Sequence, residues 1–206
     1  PLASSEAVLR PDEKEAGVLM ADIGGGTTDI AIFKEGSIWH TAVLPVGGYQ
    51  LTRDIAIGLG IPFEIAEEIK RKYGTLLEVP GDKDNVAKID GASVGLDNGQ
   101  VILSQDVNDI IRARMDEMLR MLLLEMPRTD FASLIPAGIV LTGGVANLPG
   151  IDAAASDLFR LPVRVGIPKD VYGLADILYD PAYSTAVGLL MWGARRYSEE
   201  EGTPEE

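Results

Sequence analysis

Residues 18–33 read Val-Leu-Met-Ala-Asp-Ile-Gly-Gly-Gly-Thr-Thr-Asp-Ile-Ala-Ile-Phe, a stretch dense in groups able to do phosphate chemistry. Gly24, Gly25 and Gly26 carry no Cβ, so their backbone can approach another group closely. Successive free N–H groups in such a turn form a concave anion site. Thr27 and Thr28 add hydroxyl donors. Asp22 stands where the first apolar run ends, placed to hold a hydrated divalent cation, which prefers oxygen ligands. Asp29 closes the turn. Asp22 and Asp29 are therefore the candidate catalytic carboxylates, and Asp22 is the candidate metal ligand. No Gly-Lys-Ser/Thr is present, and a strand rather than a helix follows, so this is not a Walker loop. A dinucleotide fingerprint also opens a helix and is excluded on the same ground. Two readings remain: a strand–turn–strand phosphate clamp, or a glycine-rich hairpin whose aspartates satisfy turn amides.

The elements that must position these residues follow from pattern. Residues 18–21 and 30–33 are apolar runs of buried-strand type. Residues 34–37 form a turn and 38–46 a third strand, which holds His40, the only histidine. With no cysteine and no second histidine to complete a ligand set, His40 reads as structural. Gly47 and Gly48 open a helix over 49–58, ended by Gly58 and Gly60, and Pro62 begins another over 62–73 with Gly74 as its C-cap. Glu67 lies three residues before Lys70 and four before Arg71, so the three share one helix side. A solvated salt-bridging face explains that spacing as well as a site does. Ahead of the hairpin, residues 2–9 are a short helix capped by Ser4 or Ser5, and 11–17 a polar connector.

Beyond residue 74, residues 79–85 carry loop residues, and 87–90 and 100–103 are short strands joined by Asn98-Gly99. The longest helix, 105–126 with Ser104 as cap, places its methionines on the apolar stripe as core filler. Residues 139–142 repeat the buried-strand pattern and run into Gly143-Gly144. A helix over 149–159, a strand over 162–166, a loop over 169–181 and a helix over 184–197 complete the chain, and the acidic stretch 199–206 reads as disordered. A second glycine turn after a second buried strand suggests that both turns line one cleft, since ligands sit at strand ends of such sheets.

Composition narrows the classes. The 206 residues suit one large domain or two small ones. Eighteen basic against 32 acidic residues leave a formal net charge of −14, which disfavours general nucleic-acid binding. A local nucleotide site built from backbone amides and a metal ion is compatible with it. Cysteine is absent, so neither a disulfide framework nor a thiolate metal site is available, in keeping with a cytoplasmic setting. No apolar run reaches the length of a membrane span. Pro1 is not a natural start, so the chain reads as a fragment or processed form.

Asp22-Ile-Gly-Gly-Gly-Thr-Thr-Asp29 resembles the second phosphate motif of the actin, heat-shock-70 and sugar-kinase superfamily. Leu141-Thr-Gly-Gly-Val-Ala-Asn147 resembles its adenosine motif, and Thr185-Ala-Val-Gly188 its last helix. Residues 46–59, 66–74, 148–151 and 162–166 are similar, more specifically, to the FtsA family of bacterial cell-division proteins. The resemblance covers residues 1–197.

That resemblance implies an α/β, actin-like (ribonuclease H-like) ATPase lobe with a mixed sheet flanked by helices. It is similar to the second of two lobes only. Residues 1–60 and 138–198 would form a discontinuous larger subdomain, 61–137 an inserted smaller α+β subdomain, and 199–206 a tail. The implied cofactors are ATP and Mg²⁺. Asp22 would orient magnesium-bound water, and Gly24, Gly25, Gly26, Thr27 and Thr28 would hold the outer phosphates. Glu67 and Lys70 would contact the ribose, Arg71 would lie near adenine, and Gly143, Gly144 and Asn147 would border the adenosine. The family links the FtsZ ring to the inner membrane and forms filaments. The implied partner is the FtsZ C-terminal peptide, bound by residues 61–137. Lys70, Arg71, Lys72, Arg112 and Arg114 could serve it, although a solvated helix face explains them too. The intact protein would then sit on the cytoplasmic face of the membrane at the division site. The first lobe and the membrane-anchoring amphipathic helix have no counterpart in this sequence. The chain alone is therefore expected to bind ATP weakly and hydrolyse it negligibly, because phosphoryl transfer needs donors around the whole γ-phosphate. A small-molecule kinase would require a substrate pocket from a first lobe, and a chaperone-like relative a peptide-binding domain past the last helix.

Overall fold

The computed structural model describes residues 1–77, 87–96, 100–126, 131–169 and 175–201. A five-stranded mixed sheet lies at its centre. Strands β1 (Val18–Ile23), β2 (Thr28–Lys34) and β3 (Ser37–Leu44) form an antiparallel meander. Two strands from the far end of the chain, β6 (Ile139–Thr142) and β7 (Val163–Val165), add in parallel to the other edge of β1, giving the order β3-β2-β1-β6-β7. A separate antiparallel pair, β4 (Lys88–Asp90) and β5 (Val101–Leu103), stands apart from it.

The alternation of side chains along β1 explains why the centre of the sheet, β1, β2 and β6, is buried on both faces, while the edge strand β3 is largely exposed. Leu19, Ala21 and Ile23 point to one side, where they join Ile30, Ile32 and Leu141. Helices α3 (Gly48–Leu59), α4 (Phe63–Tyr73), α5 (Ser104–Leu124) and α7 (Ile151–Phe159) cover that side with Leu51, Ile55, Ile69, Ile111 and Ile151. Val18 and Met20 point to the other side with Ala31, Phe33 and Val140. Helices α1 (Leu2–Val8) and α9 (Ser184–Glu201) cover it with Ala7, Val8 and Val187. These two helices touch closely at Gly188, where a Cβ would fall 1.7 Å from the Ala3 carbonyl oxygen.

Several local expectations are corrected. Residues 11–16 are not a connector but a helix, α2 (Pro11–Ala16), started by Pro11 and by the Glu13 carboxylate, which accepts from the Arg10 backbone N–H at 2.8 Å. Ser4 and Ser5 do not cap α1. They are buried within it, their hydroxyls donating to carbonyls three residues back. Ser104 is likewise the first residue of α5, with Leu103 at the cap position. Gly58 lies inside α3, and Gly60, at φ 63°, alone ends it. Gly74 does follow α4 but is extended, not left-handed. Glycine is needed there because a Cβ would meet the Lys70 carbonyl at 2.4 Å. Proline 149 does not begin α7; a left-handed Gly150 precedes it, and residues 144–147 form a 3-10 turn. A short helix, α8 (Ala175–Leu178), occurs within the stretch expected as loop, and another, α6 (Phe131–Leu134), precedes β6. Helix α9 runs on to Glu201, so part of the expected tail is helical. The 79–85 loop, Asn98-Gly99 and residues 202–206 lie outside the described residues.

Candidate functional site

Parallel pairing of β1 with β6 aligns Ala21 with Leu141 and Asp22 with Thr142. Parallel strands end on the same side of a sheet, so the turns that leave them emerge together. Gly24–Gly26 and Gly144 accordingly line one cleft of about 790 Å³. Glu67, Lys70, Arg71 and Asn147 line it as well, so eight of the residues singled out in the sequence converge there. Asp22, Thr27, Thr28, Asp29 and Gly143 do not form its lining.

The glycine turn is fixed by its neighbours. Gly24 N–H donates to the Thr27 carbonyl at 2.9 Å, closing the turn on itself. The first amides of α3 then hold it from outside: Gly48 N–H donates to Gly24 O at 2.9 Å and Tyr49 N–H to Gly25 O at 2.7 Å. Such contact requires that residue 47 have no side chain, since a Cβ there would lie 2.6 Å from the Gly24 oxygen. Gly25 and Gly26 are exposed, and their amides take no protein partner among the described residues. A Cβ at either position would meet nothing within 4 Å.

The five residues off the lining hold its walls. Thr28 is buried and its hydroxyl donates to the Val46 carbonyl at 2.9 Å, so its proton is committed within the fold. Thr27 donates to the Asp29 carboxylate at 3.1 Å. Asp22 and Asp29 stand directly opposite each other on β1 and β2, on the sheet face that α9 covers. From α9, the Thr185 hydroxyl donates to Asp22 Oδ2 at 2.9 Å. Gly143, at φ 86°, passes so close that a Cβ would lie 2.5 Å from Asp22 Oδ1. Among the described residues, no three His, Asp or Glu side chains gather as a metal-binding set.

On the opposite wall, α4 presents Glu67 and Lys70. Lys70 Nζ donates to Glu67 Oε2 at 2.7 Å, to Thr52 Oγ1 at 2.8 Å and to the Gly48 carbonyl at 3.2 Å. The Thr52 hydroxyl also lies 2.5 Å from Glu67 Oε2. Burial pushes the Glu67 carboxyl up. The hydrogen bonds from Lys70 and Thr52, with the charges of Lys70 and Arg71, outweigh that and hold it below the usual carboxylate range. Lys70 thus turns inward, its side chain 12% exposed, and is no part of an outer basic surface. Three other cations of that cluster carry acidic neighbours: Lys72 pairs with Glu68, Arg112 with Asp109, and Arg114 with Asp54 and Glu117, while Arg71 lines the cleft.

Sequence reasoning missed part of the lining. Tyr49 and Phe63 both line the cleft, their rings tilted against each other with centroids 5.1 Å apart. Asp180 and Tyr183 enter from the turn before α9. Asp180 followed by proline is an N-cap signal, and the structure uses it so, Ala182 N–H donating to Asp180 Oδ1 at 2.8 Å. His40 sits half-buried on β3, and its Nε2 has no partner among the described residues.

Comparison with known proteins gives a consistent pattern. The sequence profile of the family described as Cell division protein FtsA matches residues 19–188. A Cell division protein FtsA of Pseudomonas aeruginosa is 46% identical over 198 residues, covering 96% of this chain and 47% of that protein. Its counterpart in Escherichia coli K12 is 38% identical over 211 residues, covering 99% of this chain and 50% of that protein. The chain therefore spans about half the length of the curated relatives it matches. Among solved structures, MreB 5 of Spiroplasma citri bound to AMPPNP superposes with a TM-score of 0.71 at 22% identity, covering 98% of this chain and 60% of that one. A MamK double helical filament gives 0.66 at 18% identity, covering 94% and 58%. The fold is actin-like.

Proposed function

The chain belongs to the FtsA family of cell-division proteins, and from that membership we propose that its cleft binds ATP with Mg²⁺ and that it is one lobe of an actin-like scaffold. The observation that carries this reading is the meeting of two glycine turns, 24–26 and 143–144, at the shared end of β1 and β6. Gly25 and Gly26 support it in a specific way. Neither has a backbone angle that needs glycine, and neither would clash if it had a side chain. Bare backbone there serves something that comes from outside the fold. Phosphate oxygens fit, because the two exposed glycines offer amides that take no protein partner among the described residues.

Each wall then takes a part of the nucleotide. The Gly25 and Gly26 amides hold the outer phosphates. Glu67, kept ionised by Lys70, accepts from ribose hydroxyls. Gly144 and Asn147 border the base, and Arg71 lies across from them. Asp22 and Asp29 suit magnesium, since carboxylates directly opposed across strands repel unless a cation offsets them. Mg²⁺ takes few protein ligands and completes its shell with water and phosphate oxygens, so these two carboxylates are enough. When bound it would neutralise charge on the phosphates. Thr185 holds Asp22 in place for that purpose. MreB 5 was solved with AMPPNP in an equivalent fold, which supports the assignment.

In the longer protein, we propose, this lobe serves a scaffold that links the FtsZ ring to the inner membrane. Residues 61–137 form the smaller subdomain and take the FtsZ C-terminal peptide, while 1–60 and 138–198 form the larger one. The filament built by MamK supports self-association as the mode of assembly. Hydrolysis by this chain alone is negligible, because its cleft surrounds the γ-phosphate on one side only. Calorimetry with Mg-ATP, paired with a phosphate-release assay and a pull-down on the FtsZ peptide, tests the reading. Binding without turnover is expected. Failure of folded protein to bind Mg-ATP refutes the cleft assignment, brisk turnover refutes the half-site argument, and failure to retain the peptide refutes the partner.

A further inference from the structure

At the base end of the cleft, two side chains are locked together. Asp180 Oδ1 accepts from the Ala182 backbone N–H at 2.8 Å and from Asn147 Nδ2 at 2.7 Å. A carboxylate offers acceptors only, so the amide of Asn147 must turn its nitrogen toward Asp180. The reverse orientation would set two oxygens against each other. Asn147 is exposed on the cleft lining, and its Oδ1 takes no donor among the described residues. The end of this amide left for a ligand is therefore its acceptor. Without Asp180 the amide could rotate and offer either end.

Resting on the nucleotide reading above, we propose that Asp180 sets which base the cleft accepts, by fixing the Asn147 amide so that its carbonyl oxygen meets the base. A 6-aminopurine donates from its exocyclic nitrogen to that oxygen. A 6-oxopurine presents an oxygen at the same place and is rejected. Asp180 is a positioning residue here; it acts through Asn147 and need not touch the base.

The test is calorimetry with Mg-ATP and Mg-ITP, which differ at the purine 6-position, on the wild-type chain and three variants. Magnesium tripolyphosphate serves as a probe of the phosphate end. The wild type prefers ATP by about tenfold, the usual penalty for setting an unpaired acceptor against an acceptor. Asp180→Ala narrows the ratio to within about threefold, because the amide is free to turn. Asp180→Asn retains the wild-type ratio, since a carboxamide oxygen can accept both bonds that Oδ1 now accepts. Asn147→Ala removes the acceptor while leaving the Asp180 cap intact, and narrows the ratio as Asp180→Ala does. Tripolyphosphate binds all four alike. A wild type without preference overturns the inference, and so does an Asp180→Ala chain that keeps it. If Asp180→Asn loses the preference as fully as Asp180→Ala, the carboxylate acts by its charge and the positioning role is wrong. If tripolyphosphate and both nucleotides fail to bind the folded wild type, the nucleotide reading falls first and this inference with it.

Discussion

Gly25 lines the cleft and Gly143 stands off the lining, packed against Asp22 and Ile23, and the fold requires glycine at only one of them. At Gly143 the backbone is left-handed, at φ 86°, and a Cβ would sit 2.5 Å from both Asp22 Oδ1 and the Ile23 carbonyl. The carboxylate could swing away, but the backbone carbonyl cannot. Gly143→Ala should therefore cost about 2 kcal/mol or more, adding a left-handed side chain to overpacking. At Gly25 there is open space and no unusual backbone angle. Gly25→Ala should leave stability within about 0.5 kcal/mol and weaken Mg-ATP by about tenfold, the worth of roughly one hydrogen bond. Urea unfolding and calorimetry on both variants separate the two roles. Equal destabilisation by both would mean that the turn needs its glycines for itself.

Among the elements, α2 is held by a contact that bridges most of the chain. Arg164 on β7 grips Glu13 with two nitrogens, Nε to Oε1 at 2.8 Å and NH2 to Oε2 at 2.7 Å, and also reaches the Val8 carbonyl at 2.8 Å. Glu13 is 3% exposed. Burial raises its pKa. The hydrogen bonds from Arg164 and the Arg10 backbone, with the charges of Arg164 and Arg10, more than reverse this and leave the carboxyl below its ordinary 4.5. A carboxylate depressed in the folded state stabilises fully above its unfolded pKa and loses that contribution as pH falls through the folded value. Glu13→Gln should thus cost about 3 kcal/mol at pH 7, the scale for breaking a buried pair. The gap to the wild type should narrow once pH drops below about 4.5. Denaturation at pH 7, 5 and 4 reads it; a gap that stays constant would show that the charge of Glu13 contributes nothing.

For the whole molecule, binding and stability are linked. A ligand that binds only the folded chain stabilises it by RT ln(1 + [L]/Kd), about 1.4 kcal/mol at ten times Kd. In a domain of this size that raises Tm by roughly 3–6 °C. Thermal unfolding should shift by this much with Mg-ATP at concentrations well above Kd, and the shift should be absent from a chain whose cleft is blocked by Gly26→Val. A similar shift in the blocked chain would mean that the nucleotide binds elsewhere.

The strands, the glycine turns and the long helices were legible in the sequence, because each leaves a local signature: apolar runs, missing side chains, a helical period. The short polar helix α2 was not, since its start depends on Glu13 reaching back to Arg10 rather than on an apolar stripe. Of the site, the glycines were readable by type and spacing, whereas Glu67, Lys70 and Asn147 were singled out as site residues only through the family resemblance. Their convergence was not a property of spacing, for it depends on β6 pairing with β1 across more than a hundred residues. The same pairing brings Gly143 against Asp22, and the turn before α9 brings Asp180 to Asn147. Local chemistry is written residue by residue, so sequence determined which groups could act. Which of them face one another was settled only by packing, because contacts between distant segments form only when the core closes.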